Sequence, residues 1–206
     1  GFAKLLESPN LTDEEKKEYL DIIVEESKRL SNLSTNILNL SKLESQEIVF
    51  NKSEYSLDEQ IRNVILLLEP KWYEKSISFD IEMEHISFYA NEDLMQQVWI
   101  NLFNNAITYS HPKGVVHIKM YNEEEKAVIV IQDEGIGMDE YTKNRMFEKF
   151  FKGDTVHSKE GTGLGLALVK RIIDLHNGAI EVESKPGEGT TIKLIFPNEF
   201  RGWEVI

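Results

Sequence analysis

Between residues 12 and 45 the apolar positions fall at Leu20, Ile23, Leu30, Leu33, Ile37 and Leu40, in steps of three, seven, three, four and three. That heptad-like seam, interrupted at Glu26 and flanked by polar faces, predicts one long helix over 12–45. Thr12 followed by Glu15 makes a capping-box pattern, and Asp13, Glu14 and Glu15 place negative charge at the positive end of the helix dipole. A lone helix of this kind is not stable in water and needs something to pack on. Residues 1–7 read as the end of a partner helix, with Ser8-Pro9-Asn10 as the turn. The expected arrangement is a helical hairpin that dimerises into a four-helix bundle. The alternative is a surface helix packed on its own domain.

After Glu44 the period changes. Leu57, Ile61, Val64, Ile65, Leu68 and Trp72 predict an amphipathic helix over 57–72. Ile77, Phe79, Ile81 and Met83 alternate as a half-buried strand. Helices are predicted over 91–108 and 164–176, and strands over 115–121, 126–132, 179–184 and 190–196. The mixed order predicts an α+β fold: a two-layer α/β sandwich of mixed, mainly antiparallel sheet with helices on one face. The stretch from 133 to 167 reads as loop-rich, and loops this long in compact domains are usually functional.

Composition narrows the partners. The 206 residues are 41% hydrophobic and 29% charged, as in a water-soluble globular protein. No apolar run approaches the ~20 residues of a membrane span, and no signal-peptide pattern is present. With no cysteine there is no disulfide or thiolate metal site, which suits a reducing compartment. A net charge of −13 argues against nucleic acid, whose phosphates demand a basic face.

Four clusters carry candidate chemistry. In the helix at 91–108, Asn101 and Asn105 lie four apart on one face, with Tyr109 a turn beyond. A neutral amide oxygen suits Mg²⁺ beside a triphosphate, because Mg²⁺ keeps several waters and needs few protein ligands. Set against this, isolated asparagines are more often exposed or capping. Asp133 follows an apolar strand and precedes Gly135 and Gly137. A carboxylate there suits an exocyclic amine such as that of adenine, and the glycines admit a flat ring; a plain turn is the bland alternative. Gly161-Thr162-Gly163-Leu164-Gly165-Leu166 opens a helix, where free N–H groups favour an anion; a flexible hinge is the alternative. It is neither the G-x-G-x-x-G dinucleotide fingerprint nor a P-loop. Between these lies Phe147-Glu148-Lys149-Phe150-Phe151-Lys152, an apolar anchor whose lysines either reach a terminal phosphate or are simply solvated.

In this order the four clusters resemble the asparagine box, first glycine box, phenylalanine box and second glycine box of sensor histidine kinases. These belong to an ATPase superfamily that includes DNA gyrase, mismatch-repair ATPases and the ninety-kilodalton heat-shock chaperone. His176-Asn177-Gly178-Ala179 and residues 187–197 resemble the close of that domain, and 12–45 resembles the second helix of the dimerisation and phosphoacceptor hairpin. The resemblance implies three segments: a truncated hairpin at 1–45, a catalytic ATP-binding domain at 46–197 and a tail at 198–206. It implies ATP and Mg²⁺ as cofactors, with Asn101 as metal ligand, Asn105 as phosphate contact and Asp133 on the adenine amine. Gly135 and Gly137 would shape the adenine pocket, with Tyr109 at its edge. Gly161, Thr162, Gly163, Leu164, Gly165 and Leu166 would line the lid and phosphate side, with Lys149 and Lys152 near the terminal phosphate and Lys152 the one candidate for a catalytic role. It further implies a homodimer, a response-regulator receiver domain as partner, and a cytoplasmic location for a parent that is membrane-bound or not.

Three departures stand out. Thr108 occupies a place where the family usually has Lys or Arg. Gln97 occupies the place of the water-activating glutamate of hydrolytic relatives, and glutamine is no base, which favours phosphotransfer over hydrolysis. The phosphoacceptor histidine, with its following acidic residue as general base, is absent and expected just before Gly1. His85, His111, His117, His157 and His176 lack its context and are read as structural or solvated. The leading expectation is the ATP-binding core of a histidine kinase. A conformational ATPase of the same superfamily, or a dimerisation module with a relic pocket, are the alternatives.

Overall fold

The computed structural model describes residues 2–6, 8, 11–45, 51–153 and 161–197. Pro9 and Asn10 of the predicted turn, residues 154–160 with His157, and residues 198–206 lie outside the described residues. A short helix α1 (Phe2–Leu5) precedes the long helix α2 (Asp13–Glu44), with the Phe2 and Tyr19 rings 5.7 Å apart. The capping box forms as predicted: Thr12 Oγ1 accepts from Glu15 N at 3.1 Å, and Glu15 Oε2 accepts from Thr12 N at 2.8 Å.

The remainder is a helix-on-sheet sandwich. A five-stranded sheet runs in the order β2 (Ser78–Met83), β4 (Val115–Glu123), β5 (Lys126–Asp133), β7 (Thr190–Pro197), β6 (Ala179–Ser184). The β2–β4 pair is parallel and the other three are antiparallel. One face carries Val116, Ile118, Met120, Ala127, Ile129, Ile131, Leu194 and Phe196, all buried under the helices. The other face carries cross-strand ion pairs, Lys119 with Glu82 and Lys193 with Glu181. The alternation of the strands therefore gives a dry face under the helices and a second face with exposed charges, on which Val128 is nonetheless fully buried.

The covering layer holds α3 (Leu57–Leu67), α5 (Glu92–Tyr109) and α7 (Gly165–Leu175). Helix α5 lies between the other two and buries Met95, Val98, Trp99, Leu102 and Phe103, worth roughly 1.5–3 kcal/mol for each large side chain removed from water. Its position is fixed by polar ties as well. Trp99 Nε1 donates to Gln60 Oε1 at 2.8 Å, and Gln60 Nε2 donates to Glu92 O at 2.8 Å. The buried His176, at the end of α7, accepts at Nε2 from Asn91 N, the N-cap of α5, and pairs at Nδ1 with Ile172 O. Burial lowers its pKa, so the ring is neutral and structural.

Several local readings change. The helix predicted over 57–72 is two helices, α3 and α4 (Glu69–Glu74), because Pro70 cannot donate into a continuing helix. A two-stranded sheet, β1 (Ser53–Ser56) antiparallel to β3 (Ser87–Ala90), was not predicted. Nor was α6 (Glu140–Arg145), a short helix capped by Asp139 inside the supposed loop. The seam of α2 divides: Leu40, and Leu43 beyond it, are buried against the covering layer, whereas Leu20, Leu30 and Ile37 stay exposed. Arg171 Nε donates to Leu43 O at 3.0 Å, placing a cation at the negative end of α2.

Candidate nucleotide site

Asn101 and Asn105 both stand half-buried on α5. The Asn101 amide is oriented by its own helix, since Nδ2 donates to Gln97 O at 2.8 Å and so turns Oδ1 away from that carbonyl. That oxygen lies against the start of α7: a Cβ on Gly165 would come within 2.4 Å of it. The first and fourth clusters of the sequence are thus in contact. Leu164 is the N-cap of α7 and supplies no side-chain cap, so the first N–H groups of the helix are not taken up by a capping side chain. Leu164 is buried and Leu166 packs on the core, anchoring the turn; Thr162 Oγ1 accepts from Leu164 N at 3.4 Å. Gly161 stands in open space.

Asp133 ends β5 and is 8% exposed. The N–H groups of Gly135 and Thr190 hydrogen-bond to its carboxylate, yet Oδ1 has no partner among the described residues. Burial pushes its pKa up to about 6, against which those two N–H groups pull. A buried carboxylate oxygen without a donor is costly unless something else supplies one. This orphan oxygen is the sharpest sign of a ligand in the structure.

The turn after Asp133 is stitched to the end of α5. Ile136 N donates to Tyr109 O at 3.1 Å, and Ser110 bridges Gly135. Gly135 sits so close that a Cβ would lie 2.4 Å from Tyr109 O, so only glycine fits. Sequence reasoning missed Ser184, whose Oγ accepts from Met138 N at 2.8 Å and donates to Gly189 O at 2.9 Å. It holds the far side of the Gly137 turn, and only the pairing of Ser184 with Thr190 across β6–β7 reveals it.

The phenylalanine cluster meets the last glycine cluster through Phe150 N, which donates to Gly163 O at 2.8 Å. Lys149 is ion-paired with Glu44 at the end of α2, so here it faces the long helix. Lys152 borders a cleft of about 510 Å³ with Met138, Tyr141, Arg145, Phe151 and Pro186. Arg145 was not predicted; its guanidinium lies 4.5 Å from the Phe151 ring centroid and pairs with Glu148 at 2.7 Å. Gly137 belongs to this cleft, but Asn101, Asn105 and Asp133 do not. The hollow space and the ligand-seeking side chains are therefore neighbours rather than one cavity, and 154–160, which joins the two in sequence, lies outside the described residues.

Two family models match. One, the histidine kinase-, DNA gyrase B- and HSP90-like ATPase, covers residues 90–199, more than half of the chain. The chain belongs to this ATPase family. The other, the His Kinase A (phospho-acceptor) domain, covers residues 1–46, so this member of the family combines a histidine kinase catalytic ATPase domain with a phospho-acceptor region. Among curated relatives, the circadian input-output histidine kinase CikA of Synechococcus elongatus is 31% identical over 90% of this chain and 26% of its own length. The heme sensor protein HssS of Staphylococcus saprophyticus is 33% identical over 90% of this chain and 40% of its own. The chain thus spans between about a quarter and two fifths of these relatives. A solved structure of histidine kinase ThkA in complex with response regulator protein TrrA superposes with a TM-score of 0.78 at 28% identity, covering 96% of this chain and 56% of that one. Full-length ShkA in complex with AMPPNP gives 0.77 at 25% identity, over 95% of this chain and 41% of that one. No helix among the described residues is long and apolar enough to cross a membrane.

Proposed function

We propose that this chain is the ATP-handling core of a histidine kinase, with residues 1–45 as hairpin and 46–197 as catalytic domain. The observation that carries the reading is the orphan Oδ1 of Asp133, fixed beside a glycine turn that is bonded to the Tyr109–Ser110 end of α5. The amine of adenine supplies the missing donor. Asn101 Oδ1 offers a neutral oxygen to Mg²⁺, and the start of α7 offers N–H groups to phosphate. A Mg²⁺ held by Asn101 would supply neutralisation of the charge that develops on transfer.

The chain's own part is positioning. Asp133 and Gly135 orient the base, Asn105 and the Gly161–Leu166 turn hold the phosphates, and Lys152 borders the side from which a terminal phosphate is approached. Gln97 is no base, which favours a histidine acceptor over water. Leu20, Leu30 and Ile37 stay exposed along α2 and would pair with a second copy as a dimer. A response-regulator receiver domain would take the phosphoryl group onward, as the assembly of ThkA with TrrA suggests by analogy. A cytoplasmic location follows from that role.

The test is transfer in trans. Mixed with Mg-ATP and a separate helical hairpin bearing an acceptor histidine, the chain is expected to yield acid-labile, alkali-stable phosphate on the hairpin. Asn101→Ala should lower that rate at least about a hundredfold, as loss of a metal-positioning group does. Steady release of inorganic phosphate with no labelled hairpin would instead favour the hydrolase reading.

A further inference from the structure

Lys75 follows α4, far from any of the four clusters in sequence, yet its ammonium closes the end of the asparagine helix. Nζ donates to Ile107 O at 2.9 Å, Thr108 O at 2.5 Å and Ser110 O at 3.2 Å. An ammonium has three N–H donors, and here three backbone carbonyls of one helix terminus receive them. The carbonyl skipped, that of Tyr109, is the one that accepts from Ile136 N across the glycine turn. All four carbonyls from 107 to 110 are therefore assigned, three to the cation behind and that of Tyr109 to the Asp133 loop in front.

The lysine is itself held. Ile77 N donates to Trp72 O and Ser76 N to Tyr73 O, with Ser76 at φ 55°, which is the Schellman closure of α4. Lys113 N donates to Lys75 O at 3.0 Å, tying the same residue to the loop that follows α5. The cation also lies at the negative end of the α5 dipole, where it is most favourable. Thr108, which departs from the basic residue usual in the family, receives its positive charge at the backbone instead.

We propose that Lys75 is a positioning residue for nucleotide binding, setting the distance between the Asn105–Tyr109 end of α5 and the Asp133–Gly135 turn. This rests on the reading of that face as the nucleotide site. Without the ammonium, the buried carbonyls of Ile107 and Ser110 lose their partner and the helix end relaxes. The Tyr109–Ile136 hydrogen bond loosens with it, and the two walls of the site lose register.

The experiment measures two things on the full chain: amide hydrogen exchange at Ile136 and affinity for AMPPNP with Mg²⁺. Lys75→Met is expected to speed exchange at Ile136, relative to the sheet-core amide of Ile118, about tenfold, and to weaken AMPPNP binding about tenfold. Lys75→Arg, which keeps charge and donors, should recover most of both. Lys75→Gln, should the Met variant fold poorly, should fall between them. Lys71→Met removes a lysine that bonds the Asn104 side chain on the same helix and should move neither reading. Unchanged Ile136 exchange relative to Ile118 in Lys75→Met would overturn the proposal. Faster Ile136 exchange in a protein whose wild type binds no nucleotide would leave the tie standing and sink the nucleotide reading.

Discussion

Asp133→Asn is expected to abolish most ATP affinity while making the ligand-free protein more stable. The carboxylate already accepts from the N–H groups of Gly135 and Thr190. An asparagine facing the same two donors turns its oxygen toward them and presents its NH₂ where Oδ1 now waits. Donor then meets donor at the adenine amine, and affinity should fall about a hundredfold, the loss of one hydrogen bond to a charged group plus an unmet one. A 6-oxo purine presents an acceptor at that position, so ITP should lose much less.

The stability effect has the opposite sign. Asp133 has its pKa raised from 3.8 to about 6, so the folded state binds the proton more tightly than the unfolded chain. Protonation therefore favours the fold. This stabilisation is present in full below the unfolded value, fades as pH rises between 3.8 and about 6, and is gone above. The span corresponds to on the order of 2–3 kcal/mol. Urea denaturation of the ligand-free wild type should show that slope, and Asp133→Asn should flatten it and raise stability at pH 7–8. A variant that lost both stability and its pH slope in parallel with binding would mark Asp133 as merely structural. ATP affinity of the wild type should fall as pH drops through about 6, because the amine prefers the ionised carboxylate.

Gly137→Ala is expected to have the largest effect on the fold. Gly137 has φ 63°, and a Cβ there would lie 1.9 Å from Lys185 O, a backbone atom that cannot rotate away. The neighbouring bonds, Gly187 N to Ile136 O at 2.7 Å and Met138 N to Ser184 Oγ, lock that carbonyl in place. Backbone strain alone costs roughly 1–2 kcal/mol for an L-residue in this region, and the clash should carry the total to about 3–4 kcal/mol. Gly187→Ala is the matched comparison: φ is 80°, but nothing lies within 4 Å of its Cβ. It should cost only the strain. Equal denaturation midpoints for the two variants would show that the close approach at Gly137 carries no weight.

Long periodic elements were legible because burial repeats along them: α2, α5, α7 and the five strands of the main sheet stand within a few residues of their predicted bounds. The α+β sandwich with one covered face followed from the same alternation. What sequence could not yield depends on pairings made far along the chain. The strands β1 and β3 have four residues each and acquire meaning only by pairing with one another. Helix α6 has no buried residue to set a period. The ion pair of Lys149 with Glu44 and the hydrogen bond from Arg171 Nε to Leu43 O were not legible, because both arise from the docking of α2 on the covering helices.

The site was legible as a set of clusters but not as a geometry. That Gly165 would abut Asn101, that Ser184 would brace the Gly137 turn, and that Asp133 would keep one oxygen without a donor are consequences of packing.

Asp133 and Asn101 are proposed to belong to one Mg²⁺-dependent adenine-nucleotide site. Calorimetric titration of the folded chain with AMPPNP, with Mg²⁺ and again with excess chelator, tests it most directly. The account predicts one nucleotide per chain, clear weakening on chelation, and at least about tenfold weaker binding of the guanine analogue. No heat from a folded wild-type chain, or equal affinity for adenine and guanine nucleotides, would contradict it.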